Sequence, residues 1–163
     1  MIRRARLEDA EGIARVHVRS WQASYTHVFP ADRLANLSVR RRVQLWSDFL
    51  PRSDVGIFVT ESNDAISGFV SVGPSPDAAG DGELYAIYVD PDRWGSGDGR
   101  DLIDAGEEWL RLHDYERATL WVLDDNPRAR RFYEAAGWTA DGSERTGQHL
   151  GVPTREVRYA KPL

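Results

Sequence analysis

Apolar residues follow a helical rhythm over roughly the first fifty positions of this chain and a strand rhythm after Val55. Ile2 to Leu7 is a short apolar start that reads as a strand. Beyond Asp9, Ala14, Val18, Trp21 and Tyr25 recur at three- and four-residue steps and mark one face of a helix. Phe29-Pro30 punctuates the pattern. Pro30 suits the first turn of another helical region, in which Leu34, Leu37, Val43, Trp46 and Leu50 form an apolar face interrupted by the solvated run Arg40 to Arg42, so this region is expected to break in two.

The β-branched and aromatic runs Gly56 to Thr60 and Ile66 to Val72, around Glu61-Ser62-Asn63-Asp64, read as an antiparallel hairpin. Pro74 to Gly82 is a loop rather than a linker, since neither flank carries enough apolar surface for its own core. Leu84 to Val89 reads as a strand, Asp90 to Gly99 as a turn, and Leu102, Ile103, Trp109 and Leu110 as one face of a helix ending near His113. Thr119 to Leu123 is another strand. Asp125-Asn126-Pro127 opens a last helix, through Phe132 and Ala135, that Gly137 stops. Trp138 to Ala140 and Glu156 to Tyr159 supply two closing strands. There is no internal repeat and no low-complexity tract.

Composition narrows the chemistry. At 163 residues, with 41% hydrophobic and 29% charged content, the chain is sized for one α/β domain spanning residues 1–163. It contains no cysteine, which excludes thiolate nucleophiles, disulfides and cysteine-ligated zinc. No run is long enough to cross a bilayer, and Met1-Ile2-Arg3-Arg4 lacks the apolar stretch of a secretory signal, so a cytoplasmic protein without a membrane partner is expected. A net charge of −5 and a pI near 5.4 argue against nucleic acid and for cationic partners. His17, His27, His113 and His149 are too dispersed to form a metal site, so no metal is expected. A serine triad lacks its usual Gly-x-Ser-x-Gly elbow.

Trp94-Gly95-Ser96-Gly97-Asp98-Gly99-Arg100 lies between a strand and a helix, where free N–H groups and the positive helix end favour an anion. Alternating glycines also occur in ordinary turns. No Gly-Lys-Ser or Gly-Lys-Thr is present, so this is not a P-loop, and a dinucleotide fingerprint belongs near a first parallel strand, whereas this turn follows helices and a hairpin.

Leu84 to Ile103 and Asp125 to Trp138 together resemble the two most specific motifs of the GCN5-related N-acetyltransferases, over about a third of the chain. The resemblance implies a GNAT fold: a central mixed, mostly antiparallel twisted sheet, flanked by helices and splayed at the acyl-CoA site. It implies acetyl-CoA as acyl donor. By the same resemblance, the backbone of Ile87, Tyr88 and Val89 pairs with the pantetheine arm and polarises the acyl carbonyl. The N–H groups of Gly95, Gly97, Gly99 and Arg100 cradle the diphosphate, with the Arg100 side chain adding charge. Asn126 matches a cofactor-contacting asparagine, a role compatible with capping the last helix. Tyr133 matches the tyrosine that protonates the coenzyme A sulfur, against a packing role, and Glu83 matches the general base of one branch, against a solvated strand-end carboxylate. Trp21 and Tyr25 fall where the family builds its acceptor pocket, against core packing, near Asp32 or Glu83.

Two positions depart from the family pattern. Trp94 stands where Gln or Arg is usual, which removes one polar phosphate contact. Asp98 stands where an aliphatic residue is usual, which sets a carboxylate beside the expected diphosphate. The expected activity is acetyl transfer to a primary amine by direct attack in a ternary complex, with the acceptor a small molecule or a protein. The alternative is a catalytically weakened acyl-CoA-binding or regulatory module of the same fold. A homodimer through sheet edges is the assembly the resemblance allows.

Overall fold

The helical rhythm of the first fifty residues becomes three helices in the computed structural model, which describes all residues from Met1 to Leu163. Strand β1 (Ile2–Arg4) leads through a 3-10 turn, Leu7–Asp9, into α1 (Ala10–Ser24). The Asp9 carboxylate fixes that entry, accepting from the Arg6 N–H at 2.7 Å and from Arg3 at 2.8 and 2.9 Å. α1 buries Ile13, Ala14, Val18 and Trp21 along one stripe. The region after Pro30 does break in two, into α2 (Ala31–Ala35) and α3 (Val39–Phe49). Ser38 caps α3 by accepting from the Arg41 N–H at 3.2 Å.

The strand runs form one seven-stranded sheet. Its members are β1, β2 (Gly56–Ser62), β3 (Ala65–Pro74), β4 (Gly82–Val89), β5 (Arg117–Leu123), β6 (Thr139–His149) and β7 (Val152–Pro162). They are ordered β1-β2-β3-β4-β5-β7-β6, and every pairing is antiparallel except β4 with β5. Asn63 and Asp64 turn the β2–β3 hairpin with φ of 52° and 60°, the left-handed pair that matches strand twist. β3 is buried from Ser67 to Gly73 because both its faces are covered. Phe69 packs with Trp46 and α1 on one side. Val70 and Val72, one pleat away, pack with Leu102 of α4 (Asp98–Leu112) on the other. α4 lies so close there that a Cβ on Gly106 would meet Val72 at 3.0 Å.

The closing strands are far longer than the two short apolar runs indicate. β6 and β7 are eleven residues each, joined by Leu150 and Gly151 with φ of 52° and 73°. Leucine is not a turn signal at a left-handed position, and β6 is almost wholly exposed, so no apolar alternation betrays it. The chain's one lysine pins this half of the sheet to α4. Lys161 Nζ on β7 reaches Glu107, 2% exposed, at 2.9 and 2.8 Å, and Trp138 Nε1 donates to the same carboxylate at 3.0 Å.

β4 and β5 pair only at Gly82 with Ala118 and Glu83 with Thr119. Past that point each strand stays with its outer neighbour, β4 with β3 as far as Val89 and β5 with β7 as far as Leu123. A register shift between Ser71 and Val72 leaves Tyr85 as the extra residue of β4, and such a bulge adds twist that carries β4 away from β5. The expected splay is therefore present, at the middle of the sheet.

Candidate active site

A cavity of about 580 Å³ opens where β4 and β5 part. One wall is main chain. The Asp90 N–H donates to Ser67 O at 2.8 Å, so the antiparallel alternation turns Tyr88 N–H toward β3 and leaves the N–H groups of Ile87 and Val89 facing the gap. Of the three backbone positions expected to meet an acyl donor, Tyr88 thus faces β3 with its main chain. It contributes its side chain instead, and its hydroxyl accepts from Trp21 Nε1 at 3.0 Å.

The glycine turn stands at the mouth. Gly95 and Gly97 hold φ of 82° and 96°, which a side chain rarely tolerates, and the N–H groups of Gly95, Gly97 and Gly99 make no hydrogen bond within the protein. The Arg100 N–H is turned to Gly97 O at 3.0 Å. Gly99 has a second reason to lack a side chain, since a Cβ there would meet the Phe132 ring at 3.3 Å, where α4 crosses α5 (Pro127–Ala135). Three free donors beside the start of a fifteen-residue helix form a cradle able to receive an anion.

Both unusual side chains of this turn are accounted for. Asp98 does not lie open to the cradle, because Arg93 holds its carboxylate through Nε at 3.1 Å and through a second nitrogen at 3.3 Å. The indole N–H of Trp94 donates to Val89 O at 2.9 Å, and the Arg128 guanidinium stacks on the ring, 3.6 Å from its centre. The Arg100 side chain pairs with Asp104 at 3.2 Å.

Asn126 caps α5, accepting from Ala129 N–H at 3.1 Å, and its amide donates to the Tyr25 hydroxyl at 3.3 Å. Tyr133 is 8% exposed, and its hydroxyl has no partner inside the protein. Burial, with the Tyr88 hydroxyl nearby, raises its pKa above that of a free phenol, so it remains protonated at neutral pH. Trp21 and Tyr25 are packing residues and cavity residues at once. They pack with Phe29, Leu34 and Leu123, and they line the cavity. Asp32 lies exposed on α2 and lines no part of it.

The opposite end is polar and depends on the β6–β7 hairpin. Glu83 is buried, and its Oε1 has no hydrogen-bond partner. Burial and then the Asp77 charge push its pKa up to about 7, partly offset by Arg145 and Arg158. Glu156 is held charged by His149 Nε2 at 3.3 Å and by Arg145 Nε at 2.5 Å, with its pKa below the usual carboxylate range. Arg145 also lies over the Trp121 ring, 4.3 Å from its centre. Arg145, His149 and Glu156 are cavity residues that sequence reasoning missed. The available signal was the alternation of Val152, Thr154 and Glu156 with exposed Pro153 and Arg155, but it is masked because Glu156 is charged and its neighbour Val157 is buried as well. His17 is 8% exposed, stacked on Tyr88 at 5.2 Å, and burial lowers its pKa to about 3. It is a neutral core residue.

Residues 15–138 match the acetyltransferase (GNAT) family. The chain belongs to that family. The uncharacterized N-acetyltransferase YuaI of Bacillus subtilis (strain 168) is 39% identical over 82% of this chain and 77% of its own length. The mycothiol acetyltransferase of Acidimicrobium ferrooxidans is 34% identical over 66% of this chain, which spans about a third (34%) of that enzyme. The GNAT fold recurs in the PaiA N-acetyltransferase of Thermoplasma acidophilum, solved with coenzyme A, with a TM-score of 0.82 at 18% identity over 100% of this chain and 98% of that one. YncA of Salmonella typhimurium, solved with acetyl-CoA, gives 0.75 at 20% identity over 99% of this chain and 92% of that one. This GNAT chain is an acyltransferase, and no helix in it is long and apolar enough to cross a membrane.

Proposed function

We propose that residues 1–163 act as one N-acetyltransferase domain that moves an acetyl group from acetyl-CoA to a primary amine by direct attack in a ternary complex. The observation that carries this reading is the parting of β4 from β5 after Glu83, with unpaired N–H groups on β4 and on the glycine turn along one side of the opening. Free donors of this kind are what the carbonyl and diphosphate oxygens of an acyl-CoA require. In this reading the N–H groups of Ile87 and Val89 stabilise the charge that develops on the acyl oxygen. Bound acetyl-CoA supplies the activated thioester.

The side chains divide the proton work. An amine attacks only as the free base, and a carboxyl poised near pH 7 is matched to removing its proton. Glu83 has that pKa and an unpartnered oxygen. Tyr133, kept protonated by burial, donates to the departing thiolate sulfur. The rival reading of a weakened binding module rested on Trp94 and Asp98, and each of these now has a guanidinium partner.

The test is an amine panel, small molecules and peptides, with release of free coenzyme A as the signal and Tyr133→Phe as control. The expected result is thiol release with at least one amine, lost in the variant. Acetyl-CoA binding with no release across the panel overturns the enzymatic reading in favour of the binding module.

A further inference from the structure

Four arginines line the cavity, and three are already committed: Arg93 to Asp98 at 3.1 Å, Arg100 to Asp104 at 3.2 Å and Arg145 to Glu156 at 2.5 Å. Arg128 makes no ion pair and no hydrogen bond through its side chain. It is nevertheless fixed in place. Its guanidinium lies on the Trp94 ring, 3.6 Å from the ring centre, and that ring is itself anchored by its N–H to Val89 O at 2.9 Å. A guanidinium stacked on an indole face keeps its edge donors free.

We infer that Arg128 and Trp94 form a two-residue anion clamp, in which Trp94 positions the Arg128 guanidinium against the diphosphate held by the N–H groups of Gly95, Gly97 and Gly99. The inference rests on the acyl-CoA reading above and deepens it at one subsite. Trp94 sits in the glycine turn and Arg128 on the first turn of α5, so the clamp spans the two elements that close over the mouth of the cavity. It also gives Trp94 a purpose. A polar side chain at position 94 would reach the diphosphate directly, whereas the indole reaches it by holding a cation brought from α5. Arg128 is exposed at the mouth of the cavity, so the donors left free by the stacking are open to an anion that enters there. A diphosphate supplies that anion.

The experiment is calorimetry on the full chain with two probes: coenzyme A, and dephospho-coenzyme A, which keeps the diphosphate but lacks the 3′-phosphate. Arg128→Ala is expected to weaken both by the same factor, roughly 10- to 100-fold, the worth of charge-assisted hydrogen bonds to a phosphate. Trp94→Leu, with Arg128 intact but unsupported, is expected to weaken both by about 2- to 5-fold, the worth of the ring–cation contact. Arg128→Lys restores part of the affinity through charge alone. In the double variant the Trp94 effect should vanish, because there is no cation left to position. Unchanged affinity in Arg128→Ala overturns the assignment. So does a loss with coenzyme A but not with dephospho-coenzyme A, which places Arg128 on the 3′-phosphate. An additive Trp94 effect overturns the positioning role. If the wild-type chain binds neither probe, the acyl-CoA reading itself falls and the clamp with it. Binding by wild type with an unaffected Arg128→Ala removes only the clamp.

Discussion

At the glycine-turn end of the cavity the inward-facing groups are main-chain N–H donors, those of Ile87, Val89, Gly95, Gly97 and Gly99. At the hairpin end they are side chains, Glu83, Arg145, His149 and Glu156, drawn from three strands. The first end is made by two adjacent elements and one turn, so its geometry follows from which residues permit which backbone. The second joins Glu83 to residues over sixty positions further along the chain, and its electrostatics exist only once β7 has brought β6 alongside. The comparison teaches that a cradle built from backbone suits a donor common to many enzymes, while a pocket built from side chains is where one enzyme can differ from another.

Tyr133 lies on the same cavity as both ends, so its removal should have the largest effect and should separate chemistry from binding. Tyr133→Phe is expected to lower turnover by roughly 10²- to 10⁴-fold, the range for loss of a general acid, while calorimetry shows unchanged coenzyme A affinity. Unchanged turnover would break the link between the two ends.

Glu83→Gln tests the side-chain end. Turnover at pH 8 is expected to fall by about 10²-fold, and the rise in rate as pH passes through about 7 should disappear from the pH–rate profile. The same carboxyl leaves a mark on stability. Its folded pKa of about 7 lies above the 4.5 of a free glutamate, so the folded state binds the extra proton. Its contribution is therefore full below pH 4.5 and is lost as pH rises through 7. Glu83→Gln should gain stability relative to wild type between pH 5 and pH 8, by about 1–2 kcal/mol in chemical denaturation. A gain that does not depend on pH would contradict the buried, unpartnered carboxyl.

Gly97→Ala addresses the backbone end. At a φ of 96° a Cβ is strained though it meets nothing within 4 Å, so a cost of about 1–2 kcal/mol is expected as a lowered melting temperature or a weaker coenzyme A affinity. The KM for the acceptor should not move. Glu156→Gln is the reciprocal change and the smallest. It frees Arg145 and His149, and should shift acceptor KM by several-fold, about 1 kcal/mol, with coenzyme A affinity unchanged. If both variants altered both ligands equally, the division of the cavity would be wrong.

Legibility in the sequence follows the same division. The helix through Trp21, the β2–β3 hairpin, the strand–glycine turn–helix unit and the Asn126 cap each express their geometry through neighbours in sequence, and each lies where the pattern places it. The β6–β7 hairpin was legible only as two short stubs, Trp138 to Ala140 and Glu156 to Tyr159, because exposed β6 carries charges along its length and turns at a leucine. Asp98 reads in sequence as a charge repelling a diphosphate. In the fold it is an ion pair with Arg93, a contact that depends on how the 3-10 turn Pro91–Arg93 swings back over the helix start.

By itself the sequence determined the order of the elements, the left-handed glycine turn and the Asn126 cap, because propensity, capping and left-handed glycine are local properties of the chain, while the roles of Asn126 and Tyr133 beside that turn were implied only by the family resemblance. Only the tertiary structure decided what the turn's neighbours do. It set Arg128 on Trp94, neutralised Asp98, turned the Tyr88 main chain toward β3, and closed the far end of the cavity with Arg145, His149 and Glu156. Those outcomes depend on the distance between side chains remote in sequence, and burial and charge have no value until that distance is set.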